Sequence, residues 1–274
     1  MAADLRSGRS GRRPSRVRGV SFGRRRIPLV PNAYPWIFSL TALATLLWLG
    51  WVRTRRVRTA DVEAARGRFD AGAAGLAGGL IGARLGYAAW HLGYFRLHPA
   101  EILGYWHGGL DWFGGVLGGI LGVWIYSRSA GRPFLELADG LAVPGLILSL
   151  SAWLGCWIDG CAYGRSVPAG WWAPTAPDSF GTLAPRWPTQ AGAFLLTLVF
   201  LAILLRLEAR SLSRGLRACL SIASASAVIL LVSAGRGDAS VAILGIRGDA
   251  LAAILLLAGA LIVGRRLASP RAPA

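Results

Sequence analysis

The chain has 274 residues and a mass of 29.0 kDa, with 54% hydrophobic residues, 16% charged residues and a mean hydropathy of +0.49. Soluble domains carry about 25% charge, so an ordinary soluble globule is excluded, and the apolarity excludes disorder over most of the length. The formal net charge is +17 and all 30 basic residues are arginine, but they sit at the ends of apolar stretches, which points to membrane orientation and away from a nucleic acid partner.

Residues 1–33 form a basic tail with nine arginines between Arg6 and Arg26, interleaved with Ser and Gly. Such a segment is expected to be disordered. It is not a tidy signal peptide, because the apolar run Tyr34–Val52 ends in Trp51-Val52-Arg53 without a small-residue cleavage site. That run reads as the first transmembrane helix. Six more apolar segments follow at 71–92, 113–126, 137–158, 189–205, 216–234 and 250–264. Most reach the roughly 17 to 25 residues that a bilayer requires. The predicted fold is all-α, a polytopic integral membrane protein with about seven transmembrane helices. Its membrane domain spans residues 34–264 and a short tail covers 265–274. The segment at 113–126 is glycine-rich, from Phe113-Gly114-Gly115 to Gly118-Gly119. Two readings fit it: broken or re-entrant backbone, or close approach of two helices.

Seven spans place alternate loops on opposite sides. The loops at 53–70, 127–134 and 206–217 and the C-terminal tail together hold 15 arginines, against five in the intervening loops. The positive-inside rule puts the first set, and the C terminus, in the cytoplasm. The N terminus then lies outside, where its nine arginines break the same rule. A translation start further downstream, or dominance of the later loops, reconciles the two; a third reading is that the first segment does not cross.

Most polar groups near the membrane fall on the predicted outer side. All three histidines lie there: His91, His98 and, in Trp106-His107-Gly108-Gly109-Leu110-Asp111, His107. The next outer region runs from Gly155-Cys156 through Asp159-Gly160-Cys161 to Tyr163-Gly164-Arg165, and the last holds Arg236-Gly237-Asp238. Ionisable groups at membrane depth are costly and mark function by default. His91 and His98 fit solvated loop positions better than a site. Arg84, inside the second span, needs a buried partner or a lipid headgroup, and Asp139 or Asp159 can serve as that partner. Cys156 and Cys161 sit where an oxidising exterior permits a disulfide. Two cysteines without clustered histidines lack a four-ligand metal pattern, and Cys219 falls in an apolar run. Neither a metal nor a cofactor is expected.

The segments Gly82-Ala83-Arg84-Leu85-Gly86-Tyr87, Trp106 to Gly119, Gly155 to Arg165, Pro188-Thr189-Gln190 and Arg236, in that order, resemble the prolipoprotein diacylglyceryl transferase family along roughly residues 34–264. The resemblance implies an enzyme of the bacterial plasma membrane. It implies transfer of the diacylglyceryl group of phosphatidylglycerol to the lipobox cysteine thiol of a prolipoprotein, recognised through its signal peptide, with glycerol phosphate leaving. That chemistry asks for a base, since a free thiol has a pKa near 8.5. It also asks for an arginine fork on the phosphate, and for a site open sideways to membrane lipid.

The chain departs from the family pattern at named positions. Phe113 stands where the family has the histidine of a His-Gly-Gly, Trp153 where it has an arginine, Asp159 where it has an asparagine, and Gly192-Ala193 where it has Tyr-Glu. His107, in its own His-Gly-Gly, is the substitute base, and His107 and Asp159 are the residues assigned to catalysis. The alternative for His107 is an interfacial histidine beside an aromatic anchor. Arg84, Arg165 and Arg236 are assigned to phosphatidylglycerol binding; for Arg165 and Arg236 the alternative is snorkelling or an ion pair with Asp238. Beside the transferase reading stand a relative that binds lipid or precursor without turnover, which Phe113 and Trp153 favour, and a membrane transporter, for which no internal repeat speaks.

Overall fold

The computed structural model describes residues 33–51, 59–104, 109–208 and 210–269. Among them the chain forms α1 (Ala33–Gly50), α2 (Thr59–Trp90), a single turn α3 (Leu92–Phe95), a 3-10 helix (Pro99–Leu103), α4 (Trp112–Ser129), α5 (Phe134–Gly140) and α6 (Ala142–Asp159). α7 (Thr189–Glu208), α8 (Leu216–Ser233) and α9 (Gly248–Ala268) complete the helices. Two small antiparallel hairpins join them: β1 (Thr175–Pro177) with β2 (Leu183–Pro185), and β3 (Ala242–Ile243) with β4 (Ile246–Arg247). The fold is all-α, as the sequence predicts.

Five helices, α1, α6, α7, α8 and α9, are long and apolar enough to cross a membrane. Their outer faces carry side chains such as Leu40, Leu47, Leu195 and Leu255, each at least 60% exposed. A soluble monomer does not leave apolar surface of this extent open to water. The two remaining long helices, α2 and α4, fall short in apolarity because glycine and polar residues dilute them. Among the described residues length and apolarity therefore support five spans, where the sequence pattern counts seven.

Two boundaries differ from expectation. α2 starts at Thr59, inside what the charge pattern marks as a loop to residue 70. Its first turns, Ala60-Asp61-Val62-Glu63-Ala64-Ala65, are mostly good helix formers, so polarity ends the apolar run without ending the helix. The segment expected at 137–158 is two helices, α5 and α6, broken at Leu141. Asp139 sits just before the break, and its carboxylate accepts from the backbone N–H groups of Gly215 and Ala218 at 2.7 and 2.9 Å, capping α8 from a neighbouring helix.

The glycine-rich segment resolves in favour of close packing. α4 is a continuous helix that lies along α2, with Gly78, Gly82 and Gly86 facing Gly114, Gly118 and Gly122. A Cβ on Gly118 would stand 2.2 Å from the carbonyl oxygen of Gly78, and one on Gly82 2.3 Å from that of Gly114. Both helices space these glycines four apart, the small-residue track by which membrane helices bring backbones together. On the other side, Trp153, Ala193, Val228 and Val232 bury one another among α6, α7 and α8.

The helices alternate in direction. The start of α1 meets the end of α6, and the end of α2 meets the start of α4 through the Asp111 N–H donating to the Ala83 carbonyl at 2.9 Å. One end of the bundle thus gathers the ends of α2, α6 and α8, the starts of α1, α4, α7 and α9, and both hairpins. It is the end the arginine pattern predicts to be outside.

Candidate active site

Arg84 sits near the end of α2 and is 9% exposed. Its Nε donates to the carbonyl of Ile102 at 2.7 Å, Nη1 to that of Gly109 at 3.0 Å, and Nη2 to that of Glu101. The guanidinium also lies over the rings of Phe95 and Tyr87, at 5.3 and 5.7 Å. Arg84 therefore holds the connection between α2 and α4 against α2. Neither Asp139 nor Asp159 serves as its partner, because each spends its carboxylate on a helix N-terminus. Gly109 lets that connection press onto Tyr87: its φ is +76°, and a Cβ there would meet the ring at 2.5 Å.

Asp111 caps α4, its Oδ2 accepting from the Gly114 N–H at 2.6 Å. Burial pushes its pKa up, and the hydrogen bonds from Gly114 and the Trp90 indole only partly offset this. The indole Nε1 of the next residue, Trp112, is buried and has no partner among the described residues. Phe113 occupies the second position of α4, where no proton acceptor replaces the family's histidine. His107 lies outside the described residues. His91 and His98 are exposed, their rings tilted against those of Tyr87 and Tyr94 with centroids 4.1 and 4.7 Å apart.

Asp159 ends α6, and its two oxygens accept from the N–H groups of Ala33 and Tyr34 at 3.0 and 2.8 Å. It thereby caps α1. The Cys156–Cys161 disulfide closes the chain around it, and Gly160 makes the turn at φ +73°. The Pro188-Thr189-Gln190 segment pins the chain just beyond that turn. Thr189 Oγ1 donates to the Ala162 carbonyl at 3.0 Å and Gln190 Nε2 to that of Cys161 at 2.9 Å. Both side chains are almost fully buried.

The structure brings Arg165 and Arg236 together. Gly164 and Arg236 form an antiparallel bridge. The Arg165 N–H donates to the Gly235 carbonyl at 2.9 Å, and the Trp187 N–H donates to the Arg165 carbonyl at 3.0 Å. Only glycine fits at 164, since a Cβ would lie 1.9 Å from the Trp187 carbonyl. The two side chains then differ. Arg165 is exposed, lies over the Trp187 ring at 5.9 Å and has no carboxylate partner among the described residues. Arg236 is filled on both sides. Its Nε donates to Asp238 at 2.8 Å, its Nη2 pairs with the same carboxylate, and its Nη1 pairs with Asp249 at 2.8 Å.

Arg247 bridges the same two aspartates, at 3.2 and 3.1 Å. The four charges cancel. Burial opposes the charge on Arg236, but Asp238 and Asp249 outweigh it and raise its pKa above arginine's ordinary value.

Sequence reasoning passed over Arg247, Asp249 and Arg186. The first two were legible as a repeat, since Arg236-Gly237-Asp238 recurs as Arg247-Gly248-Asp249. Arg186 is 6% exposed, pairs with Asp178 at 3.0 Å, donates to the carbonyls of Ala176, Thr182 and Gly164, and lies over Tyr163 at 4.7 Å. It ties the first hairpin to the Tyr163-Gly164 segment. In the sequence it looks like any loop arginine. Trp153, at the family's arginine position, is buried in the apolar cluster with Ala193, Val228 and Val232.

A family model described as prolipoprotein diacylglyceryl transferase matches residues 32–265. Among relatives, a phosphatidylglycerol–prolipoprotein diacylglyceryl transferase of Polaromonas naphthalenivorans is 39% identical over 139 residues, half of this chain and 51% of the relative. Proteins of the same name from Paracidovorax citrulli and Cupriavidus pinatubonensis are each 35% identical, over 66% and 67% of this chain and 70% and 67% of theirs. With the match running from the start of α1 almost to the end of α9, the chain belongs to the prolipoprotein diacylglyceryl transferase family.

Proposed function

We propose that this chain transfers the diacylglyceryl group of phosphatidylglycerol to the lipobox cysteine of prolipoproteins that present a signal peptide. The observation that carries the reading is the junction of the family's segments at one end of the bundle. There Arg165 offers a charged fork with no carboxylate on it among the described residues. In the reaction a carbon–sulfur bond forms as the carbon–oxygen bond to phosphate breaks. Glycerol phosphate departs with one more negative charge than the diester carried. A fork aimed at those oxygens favours the departing state over the ground state. Arg236, locked between Asp238 and Asp249, sets the field and the backbone beside it. Arg84 shapes the connection that carries His107, and His107 takes the thiol proton. Asp159 acts by holding α1. The Trp112 indole N–H, without a partner among the described residues, supplies a donor for a lipid oxygen.

The protein works in this reading as a multi-pass protein of the bacterial plasma membrane. Residues 1–33 form its basic tail, 34–264 its membrane domain and 265–274 a cytoplasmic tail. α2 and α4 cross as a pair, each burying the other's glycine track, which brings the spans to seven. A cysteine probe at residue 175 is then reached from outside, and one at residue 212 is not.

A second reading, binding without turnover, is favoured by the apolar surroundings of Trp153. One assay separates them. Full-length protein in vesicles of phosphatidylglycerol and phosphatidylcholine is given a lipobox peptide, and thioether and glycerol phosphate are quantified. The transferase reading expects both products in equal amount. It expects His107→Ala to lower the rate by about 10² to 10⁴. Peptide and lipid binding without product, with product gained in the Phe113→His and Trp153→Arg double variant, identifies a lapsed transferase.

A further inference from the structure

The bundle carries a second charged feature at the end opposite the candidate active site. Where α4 passes into α5, a cavity of about 480 Å³ is lined by Trp124, Ser127, Arg128, Arg132, Pro133 and Phe134. That volume falls within the roughly 300–1,000 Å³ of small-molecule pockets. Among the described residues two arginines and no carboxylate line it, and neither arginine has an ion-pair partner. Glu136, close in sequence, pairs with Arg214 at 3.1 Å, and Asp70 accepts from the Tyr126 hydroxyl at 3.3 Å and lies 3.9 Å from Arg66.

The turn that presents these arginines is fixed. Ser127 Oγ donates to the Arg132 carbonyl at 2.7 Å, and the Arg132 N–H returns a bond to the Ser127 carbonyl at 3.0 Å. Ser127 is 3% exposed. The Arg132 guanidinium crosses α2 at Gly67, where a Cβ would stand 2.4 Å from Nη1. A residue with a side chain at 67 would push that guanidinium away from this position.

The surface leading to the cavity is apolar. Leu117, Leu121 and Trp124 are 45%, 53% and 46% exposed on α4, and their spacing puts them on one face that ends at Arg128. An acyl chain can lie on that face while its phosphate enters the cavity. Trp124 lies one helical turn before Arg128, and tryptophan favours the membrane–water interface. Basic pockets between membrane helices on the cytoplasmic side are suited to anionic headgroups.

We propose that this cavity binds the phosphate of an anionic glycerophospholipid from the leaflet opposite the candidate active site, through Arg128 and Arg132, with an acyl chain along the Leu117–Leu121–Trp124 face. The site is separate from the transfer chemistry and stands whether or not the chain turns over.

The test places p-benzoylphenylalanine at position 134 of the full-length protein in vesicles of equal phosphatidylglycerol and phosphatidylcholine. After irradiation, lipid adducts are counted by mass spectrometry. The phosphatidylglycerol adduct should exceed the phosphatidylcholine adduct by on the order of tenfold, given two arginines near the charged surface. Arg128→Gln with Arg132→Gln should bring the ratio close to one. Because Arg128 is exposed, Arg128→Gln alone keeps the fold and should lower the ratio severalfold. Equal adducts in the wild type, or a ratio unchanged in both variants, would overturn the proposal. So would loss of the preference on adding millimolar inorganic phosphate, which would assign the cavity to a free phosphate.

Discussion

Replacing Gly118 with alanine tests the contact that positions the candidate active site, because α4 and its cap Asp111 are placed by the glycine track against α2. The added Cβ would stand 2.2 Å from the Gly78 carbonyl oxygen, where ordinary contact begins at 3.4 Å. The helices must therefore separate by about 1.2 Å at that level, the difference between those two distances. The obstructing atoms, the Gly78 carbonyl and the Gly82 Cα, are backbone, so no side chain can swing away. Overpacking of this kind costs about 1–3 kcal/mol, and a gap of 0.5–1 Å forfeits a quarter to a half of each neighbouring dispersion contact. Alanine's better helix propensity returns about 1 kcal/mol. The net expectation is a loss of up to about 2 kcal/mol relative to wild type. Gly259→Ala is the matched control, since a Cβ on that residue of α9 meets nothing within 4 Å; it should gain the propensity term alone. Thermal unfolding in detergent, followed by circular dichroism, should rank Gly259→Ala above wild type and Gly118→Ala below it. A Gly118→Ala protein as stable as Gly259→Ala, which carries the propensity gain alone, would refute the close-packed reading of the α2–α4 seam.

Asp159→Ala should free the first turn of α1 at a cost of about 0.5–2 kcal/mol, seen as faster amide exchange at Tyr34. Asp159→Asn, which keeps one acceptor, should recover part of it, and unchanged exchange in both would remove Asp159 from the anchoring of α1. The first hairpin should loosen in acid. Burial pushes Asp178 up, but the N–H groups of Thr182 and Phe180 and the charge of Arg186 outweigh it and hold its pKa below the ordinary carboxylate value. Its stabilising contribution is therefore complete above the unfolded value of about 4, and is lost as pH falls through the lower folded value. Proteolysis within residues 175–185 should rise in that window, and Asp178→Asn should flatten the dependence.

What the sequence shows and what it hides divide along a physical line. Apolar runs mark α1 and α6 to α9 because burial in lipid needs only composition, and the error is a residue or two at most ends. α2 is harder: its first turns are polar, and helix propensity there carries no apolar signal. The order of Tyr163-Gly164-Arg165, Pro188-Thr189-Gln190 and Arg236 points to one site, and the backbone bridges show why these segments belong together. Pairing is what the sequence withholds. In the sequence Asp139 and Asp159 read as partners for Arg84, and Asp159 as a catalytic group, yet these two and Asp111 each cap a helix, two of them on distant segments. Arg165 and Arg236 read as equivalent, yet one is open and the other is enclosed by two aspartates. His107 falls outside the described residues, so its assignment rests on sequence alone.

That enclosure changes what a mutation at Arg236 reports. Arg236, Arg247, Asp238 and Asp249 are 15%, 22%, 18% and 11% exposed, so the cluster is largely dry. Removing Arg236 leaves two carboxylates and one guanidinium. Breaking a buried pair by deleting one partner costs about 3–5 kcal/mol, mostly from the charge left behind. Arg236→Ala should therefore lower stability strongly, and any loss of phosphatidylglycerol binding in it would mix unfolding with lost contact. Asp249→Asn in the Arg236→Gln background restores neutrality: one aspartate faces one arginine. The double variant should regain most of the stability, and lipid binding can then be measured in a folded protein. If Arg236 sets the field and Arg165 grips the phosphate, the double variant binds phosphatidylglycerol nearly as well as wild type. Arg165→Ala then loses binding while the Arg236–Asp249 cluster is intact. A double variant that is stable yet binds no lipid would reverse the assignment and make Arg236 the phosphate ligand, released from its aspartates when the lipid arrives.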